Sequence, residues 1–283
     1  MTNDMQNTID ELHLSFIGCG VMGEAIIAGL LKQGVVSAQN ISASHPREAR
    51  RNELKDKYGI SVFAGNREAA GTIAGHENSA VVLCVKPQRL ERVFNDLKGV
   101  LHPDQMVISI VAGATIEKLA AELGTAKVVR AMPNTPAQIG AGITAWTCTV
   151  AVSDSERDHV RSMLGALGKQ LFVETENMID MATSLSATGP TYIFMVMEAL
   201  TDAGVHLGFS RDMAKELVQE TMLGSVKFAI DSHKHPAELR NMVTSPGGTS
   251  AEAIYQMEKG TLRTVLSKAV YSAYKRAVEL GKR

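Results

Sequence analysis

Residues 16–31 read FIGCGVMGEAIIAGLL, a glycine-rich turn between a short apolar run and a helical pattern. Gly18, Gly20 and Gly23 have the G-x-G-x-x-G spacing, and the motif's required context, a strand before and a helix after, is present. The first glycine permits a tight turn, the second lets the backbone approach a pyrophosphate, and the third lets the helix pack on the strand. The amino end of the helix adds amide donors and partial positive charge. The stretch therefore predicts a dinucleotide-binding unit.

The remainder of the first half continues this alternation of strand and helix. The predicted strands are 14–18, 41–44, 61–64, 80–85, 106–111 and 127–132, with two further candidates at 143–148 and 170–174. The central runs lack polar alternation, as expected for strands that are buried on both faces. Helix-like segments lie between them at 47–58, 88–97 and 116–123. This order predicts an α/β Rossmann-like domain with a doubly wound parallel sheet.

The second half reads as helix only. Predicted helices cover 179–207, 211–232, 237–243, 249–258 and 262–281. Ser210 and Thr261 are predicted caps, and Pro236 suits a first helical turn. We therefore predict a polar N-terminal extension at 1–13, a dinucleotide-binding Rossmann domain at 14–175 and an all-helical domain at 176–283.

Composition excludes several classes of partner and site. With 45% hydrophobic residues, 21% charged residues and a net charge of −1, nothing indicates binding to nucleic acid or to an anionic membrane. Cys19, Cys84 and Cys148 are odd in number and lack CxxC spacing, which argues against a disulfide framework or a zinc site. His233 and His235 lack a third ligand nearby, so we predict no metal site. The polar first residues have no signal-peptide core, which predicts a cytoplasmic protein.

The end of the second predicted strand bears on the type of dinucleotide. An NAD site normally has Asp or Glu there, to hold the ribose 2′-hydroxyl. This chain has Ser44 and His45, followed by Arg47, Arg50 and Arg51. The missing acid and the nearby cations favour NADP (NADPH), while NAD (NADH) stays open. The alternative is that the arginines form a solvated helix face.

Further loops follow other predicted strands. VKPQ at 85–88 and VAG at 111–113 should cover the cofactor, since ligands of doubly wound sheets lie beyond the carboxyl ends of the strands. Lys86 could reach a ribose or merely cap its turn. AMPNTPA at 131–137 either holds the nicotinamide end or simply turns the chain.

TSPGGTS at 244–250 interrupts the helical half. Proline removes a backbone donor and each glycine costs roughly 1 kcal/mol inside a helix, so the break implies a need for bare backbone. With ATGPTY at 187–192 and the motifs above, it resembles the pyrroline-5-carboxylate reductase family. The resemblance runs in order from about residue 14 to residue 275, and VTSPGGTSAEAI is its most specific stretch.

The resemblance implies a Rossmann domain followed by a helical dimerisation domain. It implies reduction of 1-pyrroline-5-carboxylate to L-proline with NADPH or NADH, the final step of proline biosynthesis. It also implies a homodimer through the helical domain and allows a decamer of five dimers.

Site residues follow from the resemblance, position by position. It implies cofactor contacts at Ile17, Gly18, Cys19, Gly20, Val21, Met22, His45, Asn66, Cys84, Val85, Lys86, Pro87, Ile110, Val111 and Ala112. It implies substrate contacts at Glu176, Ser245, Gly247, Gly248, Thr249 and Ser250. Ser250 is our predicted catalytic hydroxyl, meeting the ring nitrogen or the carboxylate of the substrate. Many family members have Thr at this position, and Met242 replaces a polar side chain found in some.

The predicted substrate explains the glycine loop. A small cyclic imine that bears a carboxylate can be held by backbone amides, each charge-assisted bond contributing about 1.5–3 kcal/mol. Glycines let those amides approach without side-chain obstruction, and Thr249 and Ser250 open a helix whose amino end favours an anion. The alternative is a well-capped turn between two helices.

Other functions fit the sequence less well. A β-hydroxyacid dehydrogenase would carry a catalytic lysine in the first helical stretch of the second domain, and 179–207 contains none. An imine reductase for bulkier amines stays open, since ring specificity depends on pocket shape. A dinucleotide sensor without catalysis would have no need for the second glycine loop.

Overall fold

The computed structural model describes residues 12–282, in which the strands form one sheet of order β3-β2-β1-β4-β5-β6-β7-β8. The strands are β1 (His13–Ile17), β2 (Ile41–Ser44), β3 (Ser61–Phe63), β4 (Ser79–Leu83), β5 (Met106–Ser109), β6 (Val128–Met132), β7 (Gly142–Cys148) and β8 (Gly168–Phe172). Most of the predicted extension lies outside the described residues. Its last two, Leu12 and His13, belong to the fold, because Leu12 is buried and His13 begins β1.

The doubly wound sheet is confirmed, but the prediction of a parallel sheet is wrong at one place. β1 to β6 are parallel, whereas β6 and β7 run antiparallel, with Ala131 opposite Trp146. β7 and β8 are again parallel. The segment between β6 and β7 holds only a 3-10 turn (Thr135–Ile139), too short for the crossover that parallel neighbours need. Asn134 Oδ1 closes this turn by accepting from Ile143 N at 3.0 Å.

Helices cover both faces of the sheet. The first half contains α1 (Val21–Lys32), α2 (Glu48–Tyr58), α3 (Asn66–Gly71), α4 (Leu90–Leu97), α5 (Ile116–Leu123), α6 (Asp154–Gly165) and α7 (Asn177–Ala182). Buried side chains of α1, α2 and α6 share one core with the sheet, and those of α3, α4 and α5 share a second on its opposite face. Alternate residues of β1 supply both cores, since Phe16 enters the first and Ile17 the second. Burying a side chain of this kind contributes about 1.5–3 kcal/mol to the free energy of unfolding.

The second half is helical, as predicted. It contains α8 (Gly189–His206), α9 (Arg211–Ser232), α10 (Pro236–Met242), α11 (Thr249–Lys259) and α12 (Leu262–Gly281). Ser210 caps α9, accepting from Met213 N at 3.3 Å, and Pro236 lies in the first turn of α10. Thr261 precedes α12 with a φ of +58°, and its carbonyl accepts from Val265 N at 3.0 Å.

The helix predicted at 179–207 is interrupted. A π-helical turn, Thr183–Ala187, separates α7 from α8, and Thr188 N donates to Thr183 O at 2.9 Å. Pro190 explains the interruption, because it lacks the amide that an unbroken helix would use.

Tertiary contacts divide the chain into two units. Residues up to Thr188 and from Ala273 onward form the first, and residues 189–272 form the second. This division falls later than the domain boundary predicted near residue 175, because α7 packs on β6 and β7. Within 12–282, no helix is long and apolar enough to cross a bilayer, and no three His, Cys, Asp or Glu side chains are grouped to hold a metal.

Candidate functional site

The first glycine of the motif makes a turn that would be strained for any other residue. Gly18 has a φ of +76°, and a Cβ there would lie 2.2 Å from Val85 Cγ1. Its amide donates to Ser44 Oγ at 3.0 Å, and the next amide, that of Cys19, donates to Ser44 O at 2.9 Å. The turn is therefore fixed between the ends of β2 and β4.

The second glycine leaves open space above the turn. The nearest heavy atom to a Cβ on Gly20 would be Gly18 O, at 3.9 Å. Gly20 precedes α1, so Val21 and Met22 lie in the first helical turn, where the helix itself supplies no acceptor for the amides. Such an opening admits the close approach of an anion.

The third glycine packs α1 against two cysteines. A Cβ on Gly23 would lie 3.2 Å from Cys19 Sγ and 3.4 Å from Cys84 Cβ. Burial raises the pKa of Cys19 to about 12 and raises the pKa of Cys84 well above its usual value. Both thiols are therefore neutral packing groups.

A polar network continues from the turn along the edge of the sheet. Ser44 Oγ donates to Asn66 Oδ1 at 2.7 Å, and Asn66 Nδ2 donates to Asp96 Oδ2 at 2.8 Å. Asn66 thus lies beside the turn with both ends of its amide engaged. It lines a cleft of about 600 Å³ together with Gly18 and Val85. These two residues follow β1 and β4, the neighbouring strands at which the sheet order reverses. Ligands of doubly wound sheets bind at this switch point.

The three arginines after β2 differ in their exposure and in their bonding partners. Arg50 forms a salt bridge with Glu24, and its side chain is only 12% exposed. Arg51 Nη1 donates to the carbonyl of His45 at 2.9 Å and so braces the loop. Arg47 is exposed and forms no salt bridge within residues 12–282. Of the three arginines, Arg47 is therefore the one most available to contact a ligand.

His45 is held in one tautomer. Its Nδ1 accepts from Arg47 N at 3.2 Å, so the ring proton lies on Nε2. Burial is the main cause that lowers the pKa of His45, and the three nearby arginines lower it further. The ring is therefore neutral at about pH 7 and offers Nε2–H as a donor.

Glu24 joins α1 to α2. Its carboxylate accepts from Arg50, from Lys57 Nζ at 2.9 Å and from Tyr58 Oη at 2.7 Å. Burial alone would raise the pKa of Glu24, but the hydrogen bonds from Lys57, Arg50 and Tyr58 outweigh it and lower the pKa to about 2.

We expect Glu24→Gln to destabilise the protein by roughly 2 kcal/mol near pH 7. Because the folded pKa is depressed, this contribution is complete above the unfolded value, near 4.5, and is lost as pH falls toward 2. Urea titrations across this range should show the stability gap between wild type and Glu24→Gln closing in acid. Glu53→Gln is the matched control, because Glu53 pairs with the same Arg50 at 2.8 Å but is 54% exposed. A gap that is independent of pH would contradict the prediction.

The loops after β4 and β5 lie beside the glycine turn. Cys84 N donates to Ile17 O at 2.9 Å, and Ile110 N donates to Leu83 O at 3.1 Å. Because β1 to β6 are parallel, their carboxyl ends meet at one edge of the sheet. That edge gathers the residues predicted to bind the cofactor, namely 17–22, 45, 66, 84–87 and 110–112.

Glu176, a predicted substrate contact, lies in the first unit with a buried arginine. Its Oε1 accepts from Ile116 N at 2.8 Å and from Arg130 Nη1 at 2.9 Å. Arg130 also donates from Nη2 to Asp180 Oδ1 at 2.5 Å. Arg130 and Asp180 were not among the predicted site residues. The available signal was an arginine inside the apolar strand KVVRAM.

The second glycine loop belongs to the second unit, between α10 and α11. Gly247 has a φ of +69°, and Gly248 precedes α11 and donates its amide to Ser245 O at 3.0 Å. A Cβ on Gly248 would lie 2.6 Å from Ser245 Oγ. Thr249 and Ser250 are the first two residues of α11, so their amides have no acceptor within the helix.

Comparison with known proteins identifies the family. Residues 176–280 match the family model of pyrroline-5-carboxylate reductase dimerisation, and residues 13–113 match one described as NADP oxidoreductase, coenzyme F420-dependent. A pyrroline-5-carboxylate reductase of Pseudomonas aeruginosa is 38% identical over 269 residues, covering 95% of this chain and 96% of that protein. Another, of Synechocystis, is 36% identical over 272 residues, covering 96% and 99%. The chain belongs to the pyrroline-5-carboxylate reductase family.

Solved structures of this family agree with the fold. A pyrroline-5-carboxylate reductase of Coxiella burnetii superposes with a TM-score of 0.85 at 34% identity, covering 96% of this chain and 100% of that one. Plasmodium falciparum pyrroline carboxylate reductase, crystallised with NADP bound, gives 0.86 at 29% identity, covering 96% and 99%. The predicted family and fold class are both confirmed.

Proposed function

We propose that this chain reduces 1-pyrroline-5-carboxylate to L-proline with NAD(P)H, the final step of proline biosynthesis. The observation that carries the proposal is a dinucleotide turn, with Gly18 at a positive φ and open space above Gly20, in a family member of matching length. The direct test measures oxidation of NADPH and of NADH with pyrroline-5-carboxylate at matched concentrations. Oxidation of NADPH or NADH by a 2-oxoacid, which would be reduced to a 2-hydroxyacid, but not by the imine would overturn the proposal.

The residues present fit a nicotinamide dinucleotide. We assign the diphosphate to the turn at 17–22, because the space above Gly20 is open and the amides of Val21 and Met22 lie in the first turn of a helix. We assign the loops at 84–87 and 110–112, with His45 and Asn66, to the remainder of the cofactor. When bound, the nicotinamide supplies the hydride, and the protein's task is to align the imine carbon with it.

We further propose that NADPH is preferred, through Arg47. Arg50 and Arg51 have protein partners, whereas Arg47 is exposed beside the neutral ring of His45. The relative from Plasmodium falciparum was crystallised with NADP, which supports the choice.

Arg47→Ala should lower kcat/KM for NADPH by about 10- to 100-fold, the loss of one charge-assisted contact to a phosphate, and should leave NADH nearly unaffected. Steady-state kinetics with each nucleotide measure this. Lys55→Ala, an exposed cation farther along α2, is the matched control and should change neither value. Equal losses with both nucleotides would contradict a 2′-phosphate contact.

We assign substrate binding to the loop at 245–250. The loop's internal bond uses the amide of Gly248, while Thr249 and Ser250 begin a helix and offer amides to a carboxylate. An iminium is already electrophilic, so no strong acid is obligatory, and the Ser250 hydroxyl needs only to orient the ring. Glu176 remains a predicted substrate contact.

The helical domain should form a homodimer. Its match to the family's dimerisation model supports oligomerisation, and α8 carries exposed Ile193, Phe194 and Met195. We propose a dimer, with a decamer of five dimers as the larger assembly, and light scattering after gel filtration would separate the two. The predicted cytoplasmic location stays a prediction.

A further inference from the structure

A buried arginine lies in β6 where an apolar residue would be expected. Arg130 is 1% exposed, within a strand whose other residues are also buried. Its Nε has no hydrogen-bond partner among the described residues. A buried charge that is incompletely satisfied is costly, and a well-packed apolar side chain would avoid that cost. The arginine should therefore have a task other than stability.

Arg130 joins β6 to the start of α7. Its two terminal nitrogens reach Glu176 and Asp180, which lie four residues apart. The planar guanidinium suits this forked arrangement, which a lysine could not reproduce. One side chain of the sheet thus fixes the position of two carboxylates.

Glu176 extends the connection to a third segment. The same Oε1 that Arg130 holds accepts from Ile116 N, the first amide of α5. A carboxylate at a helix N-terminus is favourable for the partial positive charge there. Asp180 makes no such contact within the described residues, so the two carboxylates differ in this one respect.

The segment before α5 is also held from its other side. Gly113 has a φ of +78°, and a Cβ there would lie 2.7 Å from both Leu280 C and Leu280 Cβ. The loop at 111–115 therefore lies between the end of α12 and the carboxylate that holds Ile116. Its first two residues are assigned above to the cofactor.

We propose that Arg130 and Glu176 are positioning residues that fix the loop at 111–115 for the nicotinamide cofactor. The inference rests on the proposed function and gives Glu176 a role in the protein's own architecture. Arg130 acts through Glu176, and Glu176 acts through the Ile116 amide. Asp180 only balances the charge of Arg130.

The test compares Glu176→Ala with Asp180→Ala, each of which leaves Arg130 one carboxylate. Hydrogen exchange without cofactor should show amides 111–115 exchanging about tenfold faster in Glu176→Ala and unchanged in Asp180→Ala, because only the first releases Ile116 N. The Kd for NADPH alone, without substrate, should rise about tenfold in Glu176→Ala only. Equal changes in the two variants, or none, would overturn the proposal.

A second pair of variants tests the same bond if Glu176→Ala does not fold. Of the backbone groups, Ile116→Pro removes only the N–H that donates to Glu176, and proline is tolerated at the first position of a helix. Ile116→Ala shortens the same side chain but keeps the amide. Faster exchange in the proline variant alone supports the proposal, and equal exchange contradicts it. If wild-type protein bound neither NADPH nor NADH, the proposed function would fall, while the exchange comparison would still report on the loop.

Discussion

Replacing Gly18 with alanine is expected to weaken NADPH binding by about 100-fold, since two misplaced amide contacts to a phosphate are worth about 3 kcal/mol. The left-handed conformation at φ +76° costs a residue with a Cβ roughly 1–2 kcal/mol. The new Cβ would also lie 2.2 Å from Val85 Cγ1 and 3.4 Å from Val85 Cα. The second distance is an ordinary van der Waals contact, but the first requires the Val85 side chain, or the loop after β4 that carries it, to move.

Gly34→Ala is the matched control for this substitution. Gly34 has a φ of +65° and nothing within 4 Å of its would-be Cβ, so it carries the conformational cost without the clash. Titration calorimetry should therefore show weaker NADPH binding in Gly18→Ala than in Gly34→Ala. Thermal unfolding of both variants would show whether a difference in stability accounts for the difference in affinity. Equal NADPH affinity in the two variants would mean that the turn does not hold the diphosphate.

Replacing Ser250 with alanine is expected to lower kcat by about 100-fold, the usual loss for one donor aimed at a reacting group. The affinity for NADPH should stay unchanged, because the hydroxyl is assigned to the substrate. Alanine also suits the first turn of α11 at least as well as serine, so thermal stability should not fall. Ser250→Thr keeps the hydroxyl and should keep most of the turnover.

Ser225→Ala controls for the loss of a helical hydroxyl. Ser225 Oγ donates to Thr221 O at 2.7 Å within α9, and the substitution should leave kcat intact. Stopped-flow measurement under single turnover would show whether the Ser250→Ala loss lies in the hydride step. Unchanged steady-state kinetics in Ser250→Ala would rule out its assigned role.

Local patterns predicted the elements and the glycine turn after β1 well. Apolar runs such as AVVLCV and MVISIV indicate buried strands without any tertiary information, and the glycine spacing locates the tight turn between β1 and α1. The reversal at β7 was not predicted, because an apolar run does not show in which direction a strand runs. It depends on the short connection through Asn134, which becomes informative only once the pairing of β6 and β7 is known.

Polar pairs between residues that lie far apart in the chain were the other feature that could not be predicted from the sequence. Arg130 donates hydrogen bonds to Glu176 and Asp180, which lie 46 and 50 residues further along the chain. The periodicity of residues within one helix or strand does not predict such partners. The arginines after β2 were likewise indistinguishable until Arg50 was seen bonded to Glu24. The sequence therefore located a basic cluster, and the structure was needed to find which member is available.

The bond between Glu24 and the second helix has a consequence for enzyme engineering. It joins both the first and the last turn of α2 to the helix that follows the glycine turn, because Arg50, Lys57 and Tyr58 all donate to Glu24. Attempts to exchange one nucleotide for the other should redesign the short stretch at 45–47 and spare Glu24 and Arg50. A library that randomised the whole of α2 would also remove these bonds and the buried Leu54, and we expect it to yield less stable variants, whichever coenzyme was selected for.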